Sequence, residues 1–459
     1  MRAERLVDEG LPDSPLRLRW SDRPMERSDL PEVDAQGGDW QRLGSTPSAT
    51  DVALASQLAA EILVVLSQPL AGALHWLNFF RSRLTPSGVL RFHWFPGEDP
   101  AGARVLLALE GLSRSLGFEC VGGDPEARAP MGSLTLKRSR EILWSFFEGT
   151  SSDGATARDL FQRVYSTQIA ELFWEWKYGQ GRSETLLARR GSVVVAHYGV
   201  LIREMWFLGE PARALQVADV MVEAADRALI TREGVFSRLA RAFQALHFGC
   251  SEQYAFAFGF PTLKAMRIGE RLGLYQTVDQ VQELAWSSMK GSRIGKPIIK
   301  RCKGLEGYEA CVTQLWGAMA GALPDRVLIR RDYAYLQMRY VAHPEYRYVF
   351  LLALSPWTRQ PLGLFVVRRD ADQLRLMDYI GLPGHLGRLI PALRRWMAPE
   401  GSRRLLAWTA STQRSFFEET DYVLTETELA IPANGVFFQV PPSQLRNRWW
   451  VSMGDTDFL

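Results

Sequence analysis

An apolar run, ALQVADVMV, leads through a short polar loop to Gly234 and directly into the amphipathic stretch VFSRLARAF. Few chains can accommodate that order except as strand, loop and helix. A second apolar run, FAFGF, and a further helical stretch, TLKAMRIGERLG, follow before Tyr275. The alternation of short apolar runs with helical periods predicts an α/β fold. The first backbone N–H groups of a helix lack internal partners and face the positive end of its dipole. A helix mouth at Gly234 is therefore suited to an anion such as a pyrophosphate.

The 459 residues suffice for more than one domain. Net charge is only +3, and 47 of the 54 basic residues are Arg, so a nucleic-acid binder that works through bulk charge is not expected. No run reaches the ~18 apolar residues a membrane helix needs, and the N-terminus has no secretion-signal core, so a cytoplasmic protein is expected. Cys120, Cys250, Cys302 and Cys311 are widely spaced, which suggests reduced thiols and neither a disulfide framework nor a metal site. There is no G-x-S-x-G, H-E-x-x-H or Walker pattern, and the six His are scattered.

Composition divides the chain. Residues 1–50, rich in Pro, Asp, Gly and Ser, read as a poorly ordered leader. Residues 51–148 read as an α/β accessory domain: helical spacing over 51–84, a turn at 85–88, the strand VLRFHWF, a helix near 104–116 and the strand SLTLKR. Residues 158–289 hold the strand–Gly234–helix block, and a basic linker over 290–307 follows. The block 308–459 repeats the theme, since RRDYAYLQMRYVAHPEYRYVFLLAL parallels LFWEWKYGQGRSETLLARRGSVVVA.

The frame LFWEWKYGQG, SVVVAHYGV, REGVF and FGFPTLKAMRIGERLGL, in that order over 172–286, resembles the acyl-CoA-binding core of the GNAT (Gcn5-related N-acetyltransferase) superfamily. The family's pyrophosphate loop reads Arg or Gln, two free positions, Gly, one free position, then Gly or Ala. Here Thr231 and Phe236 stand at the outer places and only Gly234 keeps the pattern. The resemblance implies tandem GNAT-like units, each with a mixed sheet, the second degenerate because Gly381 to Gly384 fits the signature poorly. The accessory region resembles the distal half of a Rossmann-type methyltransferase without the half that holds the methyl donor, which implies a non-catalytic remnant.

From the resemblance follow acetyl-CoA or another acyl-CoA as co-substrate, no metal, and a small-molecule amine, amino sugar or aminoacyl acceptor. It also assigns Val220, Met221 and Val222 to the strand that faces the pantetheine. Arg232, Glu233, Gly234, Val235 and Phe236 fall to the pyrophosphate loop, Asp219 to the general base with Glu223 second, and Tyr275 to the acid that protonates the thiolate. Tyr254 and His197 are weaker candidates, because an aromatic or a lone His on a strand more often packs or hydrogen-bonds structurally. Two other readings remain open: a non-catalytic acyl-CoA sensor or scaffold, and an aminoacyl-tRNA-dependent transferase of the FemAB kind.

Overall fold

The computed structural model describes residues 16–20, 41–42, 59–66, 72–94, 101–123, 132–138, 143–227, 233–251, 253–292 and 294–456. The first sheet comprises β1 (Leu16–Trp20), β2 (Gln41–Arg42), β3 (Ala59–Leu66), β4 (Leu84–Trp94), β5 (Phe118–Gly122) and β6 (Gly132–Arg138), in the order β2-β1-β3-β4-β6-β5. The first four are parallel, and β6 runs antiparallel to both β4 and β5. Two strands of this sheet thus lie inside the segment expected to be a leader. The helical spacing read over 51–84 also resolves differently, into β3 followed by α1 (Ala73–Arg83). Ile62, Val64 and Leu66 are fully buried, and a strand between two parallel neighbours reads as a continuous apolar run that periodicity cannot separate from a helix.

This sheet is not an independent body. Helix α2 (Ala101–Ser115) leans on a later helix of the second sheet, and one apolar core runs from Ile62 and Leu109 through Phe243 and Tyr254. The second sheet has the order β11-β10-β9-β8-β7, built from β7 (Ser145–Glu148), β8 (Ser183–Arg190), β9 (Val193–Phe207), β10 (Glu210–Val222) and β11 (Ala257–Gly259). Helices α3 (Gly154–Tyr165) and α4 (Glu171–Tyr178) cover one face, packing Leu160 and Trp174 on Leu187 and Met221. Helix α5 (Val235–Gln244), which continues into a π-turn over Ala245–Gly249, covers the other. Helix α6 (Leu263–Arg271) follows β11.

The third sheet takes β12 (Tyr275–Ser287), β13 (Ile298–Arg301), β15 (Val349–Leu354), β16 (Pro361–Asp370), β17 (Gln373–Gly381), β18 (Arg404–Ala410) and β19 (Val423–Asn434), in the order β13-β15-β16-β17-β18-β12-β19. The strand β12, expected within the first unit, therefore pairs wholly in the sheet of the second. In return β14 (Val327–Ile329) pairs with β9 of the second sheet. The boundaries at 148 and 289 both cut across strand pairing, since β7 already belongs with β8.

The two units are tandem copies of one plan. Each has antiparallel strands leading to a single parallel pair, β10 with β11 and β17 with β18, whose two strands are joined through a helix, α5 in the first unit and, after α7 (Glu309–Gly321), α8 (Leu386–Met397) in the second. Each parallel pair ends early, at Val217/Gly259 and at Leu376/Ala407. Just past those points lie Asp219 and Asp378, each beside a register shift. Tyr178 donates to Asp219 Oδ2 at 2.7 Å, and Tyr340 donates to Asp378 Oδ2 at 2.9 Å.

The two copies differ in what lies in the opening. In the second, the segment around Met453–Asp455 packs on β17, and Val451 N–H donates to Gln413 Oε1, which also accepts from Ala410 at the end of β18. Arg331, fully buried, bridges Asp378 (2.6 Å) and Asp455 (2.8 Å), with Ser452 completing the network. Gly454 is required there: a Cβ would lie 1.8 Å from the Tyr340 hydroxyl. The aromatic and acidic end of the described chain is thus an internal wedge that fills the second opening.

Candidate active site

In the first unit the opening is retained. After Val217 pairs with Gly259, β10 turns away from β11, and a cavity of about 710 Å³ occupies the gap. Its walls are mostly apolar: Phe161, Val164 and Tyr165 from α3, Val217 to Val220 and Val222 from β10, Phe258 to Pro261, and Met266 and Ile268 from α6. Pro432 of β19 and Tyr275 of β12 close it, so the second unit supplies part of the wall. The junction is fixed by Asn434 Oδ1 accepting from Ala257 N–H (3.0 Å) and by Pro261 O accepting from Ala430 N–H (3.0 Å).

The divergence has a local cause. Between Ala218 and Met221 the pairing of β10 with β9 slips, and Asp219 takes φ 44°, a left-handed value that Asp tolerates better than most residues. Three groups hold it there. Lys177 Nζ and the Tyr178 hydroxyl donate to Asp219 Oδ2 at 2.6 and 2.7 Å, and Asp219 O accepts from His197 Nδ1 at 2.8 Å. Gly199 makes the approach possible, since a Cβ would lie 2.4 Å from His197 Cε1 and 2.7 Å from the Tyr178 hydroxyl. Trp174 stacks on Tyr178 with centroids 4.3 Å apart.

Electrostatics follow from this cage. Burial opposes ionisation of Asp219, but the Lys177 charge and the hydrogen bonds from Lys177 and Tyr178 outweigh it and hold the carboxyl below its ordinary range. A carboxylate so stabilised is a weak proton acceptor near neutrality. Burial also pushes His197 down, keeping the imidazole neutral. Tyr275 bonds to the fully buried Tyr198 hydroxyl at 2.6 Å, its ring on Gly269 of α6, and burial raises both phenols so that both stay protonated. Tyr254 donates to Glu184 at 3.0 Å and is not among the cavity walls.

The loop residues sort by environment. Gly234 is the N-cap of α5 at φ −70° and ψ 157°, with no side-chain cap, so the N–H groups that open the helix keep their donor capacity. Phe236 lines the cavity, whereas Val235 is buried in the core. Ser237, also at the cavity and almost fully buried, has a hydroxyl without a hydrogen-bond partner. Sequence reasoning missed it, because a Ser inside a helix carries no signal until the cavity is seen. Arg227, another wall residue, was missed likewise. The Glu233 carboxylate pairs with Arg238, whose guanidinium also donates to the carbonyls of Arg114 and Ser115 at the end of α2. Glu233 thus ties the loop to the first sheet. Val220 and Val222 line the cavity and Met221 points into the core under α3 and α4. Glu223 pairs with Arg163 at 2.6 Å. Arg232 lies outside the described residues.

The amides that open α5, the unpartnered Ser237 hydroxyl and Arg227, whose Nε also donates to Val222 O, lie at or beside the cavity wall, a donor set suited to a pyrophosphate. Among the described residues no cluster of His, Cys, Asp and Glu could hold a metal ion, and no helix is long and apolar enough to cross a membrane.

Comparison with known proteins bears on the fold. Residues 148–277 match the family model described as an acetyltransferase (GNAT) domain. Among solved structures, a conserved protein from Enterococcus faecalis described as a probable N-acyltransferase superimposes with a TM-score of 0.51 at 9% identity, over 63% of this chain and 71% of that one. At such identity the likeness shows the fold alone. A GCN5-related N-acetyltransferase from Kribbella flavida (TM-score 0.48, 15% identity, 64% of this chain and 72% of that one) is also similar. So is a tandem GNAT protein from the clavulanic acid biosynthesis pathway (0.43, 12%, 64% and 98%). No curated protein matches the sequence.

Proposed function

We propose that this chain, a member of the GNAT acetyltransferase superfamily, transfers an acyl group, with acetyl the first candidate, from a coenzyme A thioester to an amine of a small molecule, amino sugar or aminoacyl group. One observation carries the reading: β10 and β11 part after Val217/Gly259 onto a cavity that meets the uncapped mouth of α5. Beyond Val217 the edge of β10 has no strand partner on the β11 side, which leaves room for a pantetheine arm to lie along it, and the apolar walls exclude water from the thioester.

The thioester is already activated, so little covalent help is required. The amine nitrogen attacks the carbonyl carbon, the C–N bond forms, the C–S bond breaks, and the sulfur leaves as thiolate. Tyr275, kept protonated and hydrogen-bonded to Tyr198, is a phenol at the cavity wall that can give the thiolate its proton, and the surplus proton on the newly acylated nitrogen then restores the phenol. Asp219, already committed to Lys177 and Tyr178, serves this reading as the anchor of the bulge, and the acceptor enters as its free base.

The commitment of Asp219 also favours a second reading, a protein that binds acyl-CoA without turnover. Thiol release from acetyl-CoA with a panel of primary amines separates the two. Transferase activity predicts release that drops about 10²-fold in Tyr275→Phe with acetyl-CoA affinity unchanged. Binding without release by any amine supports the sensor, and release unaffected by Tyr275→Phe removes that residue from the mechanism.

A further inference from the structure

Outside the cleft, two large apolar side chains stand almost fully in solvent: Ile294 is 88% exposed and Trp357 80%, the highest values for large hydrophobics among the described residues. Scattered exposed apolar residues are ordinary, but these two are neighbours. Strand β13 pairs with β15 in the register Ile298↔Leu354, which sets the residues before 298 beside the turn after 354. A Cβ on Gly295 would lie 4.0 Å from Trp357 Cζ2. The Trp is presented by a fixed turn, in which Ser355 N–H donates to Gln360 O and Arg359 N–H to Ser355 O. Burial in the core has been forgone here on a rigid support.

Charge around the pair is one-sided. Residues 288–304 contain four of the seven Lys in the chain and no acidic residue. Lys290, Lys296, Lys300, Arg301 and Lys303 are all exposed, and none makes an ion pair among the described residues. An aromatic and an aliphatic tip on a segment flanked along the chain by exposed lysines matches the layered chemistry of a bilayer surface, where the rings and chains enter the headgroup boundary and the cations meet anionic lipid. Lysine suits that diffuse field, being a compact hydrated charge, whereas this otherwise Arg-dominated chain uses guanidinium groups for its bidentate pairs. Ile294 has no π-face on which a nucleic-acid base would stack.

We infer that the surface formed by Ile294, Trp357 and the lysines of β13 and its preceding loop docks the protein peripherally on anionic phospholipid. The inference is independent of the acyl-transfer reading, because none of these residues lines the cleft. The test is co-sedimentation of the full chain with vesicles of phosphatidylcholine alone or with added phosphatidylglycerol, beside a single-stranded oligonucleotide competitor. Expected are retention only by phosphatidylglycerol-containing vesicles, release at high salt, and about tenfold weaker partitioning for Ile294→Ser/Trp357→Ser and for Lys296→Glu/Lys300→Glu. Both variants should keep the wild-type melting temperature, which excludes misfolding. No retention on anionic vesicles, retention unchanged in the Ile294→Ser/Trp357→Ser variant, or displacement by the oligonucleotide would each overturn the inference.

Discussion

Lys177→Met perturbs the element on which the cleft depends. The ammonium, 3% exposed, lies 2.6 Å from an Asp219 carboxylate that is 14% exposed. Removing one partner of such a pair leaves a buried charge, at a typical cost of about 3–5 kcal/mol. Tyr178 still donates to Asp219, so the lower end, about 3 kcal/mol near neutral pH, is expected. The sign of the pH dependence is a sharper test. In the wild type the Asp219 pKa is depressed, so its contribution is present above the unfolded carboxylate value and lost as pH falls through the folded one. In the variant burial, the largest cause, is opposed by the Tyr178 hydrogen bond and the smallest of the wild-type causes, His197, and the shift is expected to reverse. Asp219 then takes up a proton on folding, and the deficit shrinks as pH falls from 7 towards 4. Urea titrations at several pH values, with hydrogen exchange along β10 locating the loss, measure both. Lys177→Met/Asp219→Asn should be more stable than Lys177→Met at pH 7 by at least about 1.5 kcal/mol, because it removes the isolated charge while Asn tolerates the left-handed backbone. A deficit under about 1 kcal/mol, or one independent of pH, refutes the reasoning.

Two further outcomes follow from groups withdrawn from bulk water. Arg331→Met strands Asp378 and Asp455 inside the second unit and should cost about 3–5 kcal/mol in urea titration, while a loss below about 1 kcal/mol would mean the wedge is not held by this network. Burial lowers His247 from 6.5 to about 4, so its folded-state pKa lies below the unfolded one and stability must decline as pH falls from 6.5 to 4. His247→Gln should flatten that decline by roughly 2–3 kcal/mol, and an unchanged pH profile would show that His247 is not buried as a neutral imidazole.

Legibility in the sequence followed how local each signal was. The strand–Gly234–helix order could be read because its elements are contiguous, and the helix begins at Val235 after an N-cap Gly234. The likeness of YAYLQMRY to LFWEWKY also carried information that structure made specific, in the paired Tyr178–Asp219 and Tyr340–Asp378 bonds. What escaped was set by distant partners. β12 obeys an ordinary strand pattern, and nothing in Tyr275–Ser287 says which of two sheets it joins. AAEILVVL was misread for want of its neighbours β1 and β4. The assignment of Asp219 to a base overlooked Lys177, 42 residues earlier in the chain, and the wedge of Asp455 depends on an Arg 124 residues away.

The central claim is that the amides opening α5 hold the diphosphate of an acyl-CoA beside the parted strands of the first unit only. Calorimetric titration with acetyl-CoA tests it most directly, comparing wild type with Gly234→Glu, whose extended backbone accepts a side chain without strain. The account predicts one site per chain, since the second opening is filled, and a loss of about 100-fold or more in the variant through charge repulsion. No binding, two equivalent sites, or unchanged affinity in Gly234→Glu would contradict it.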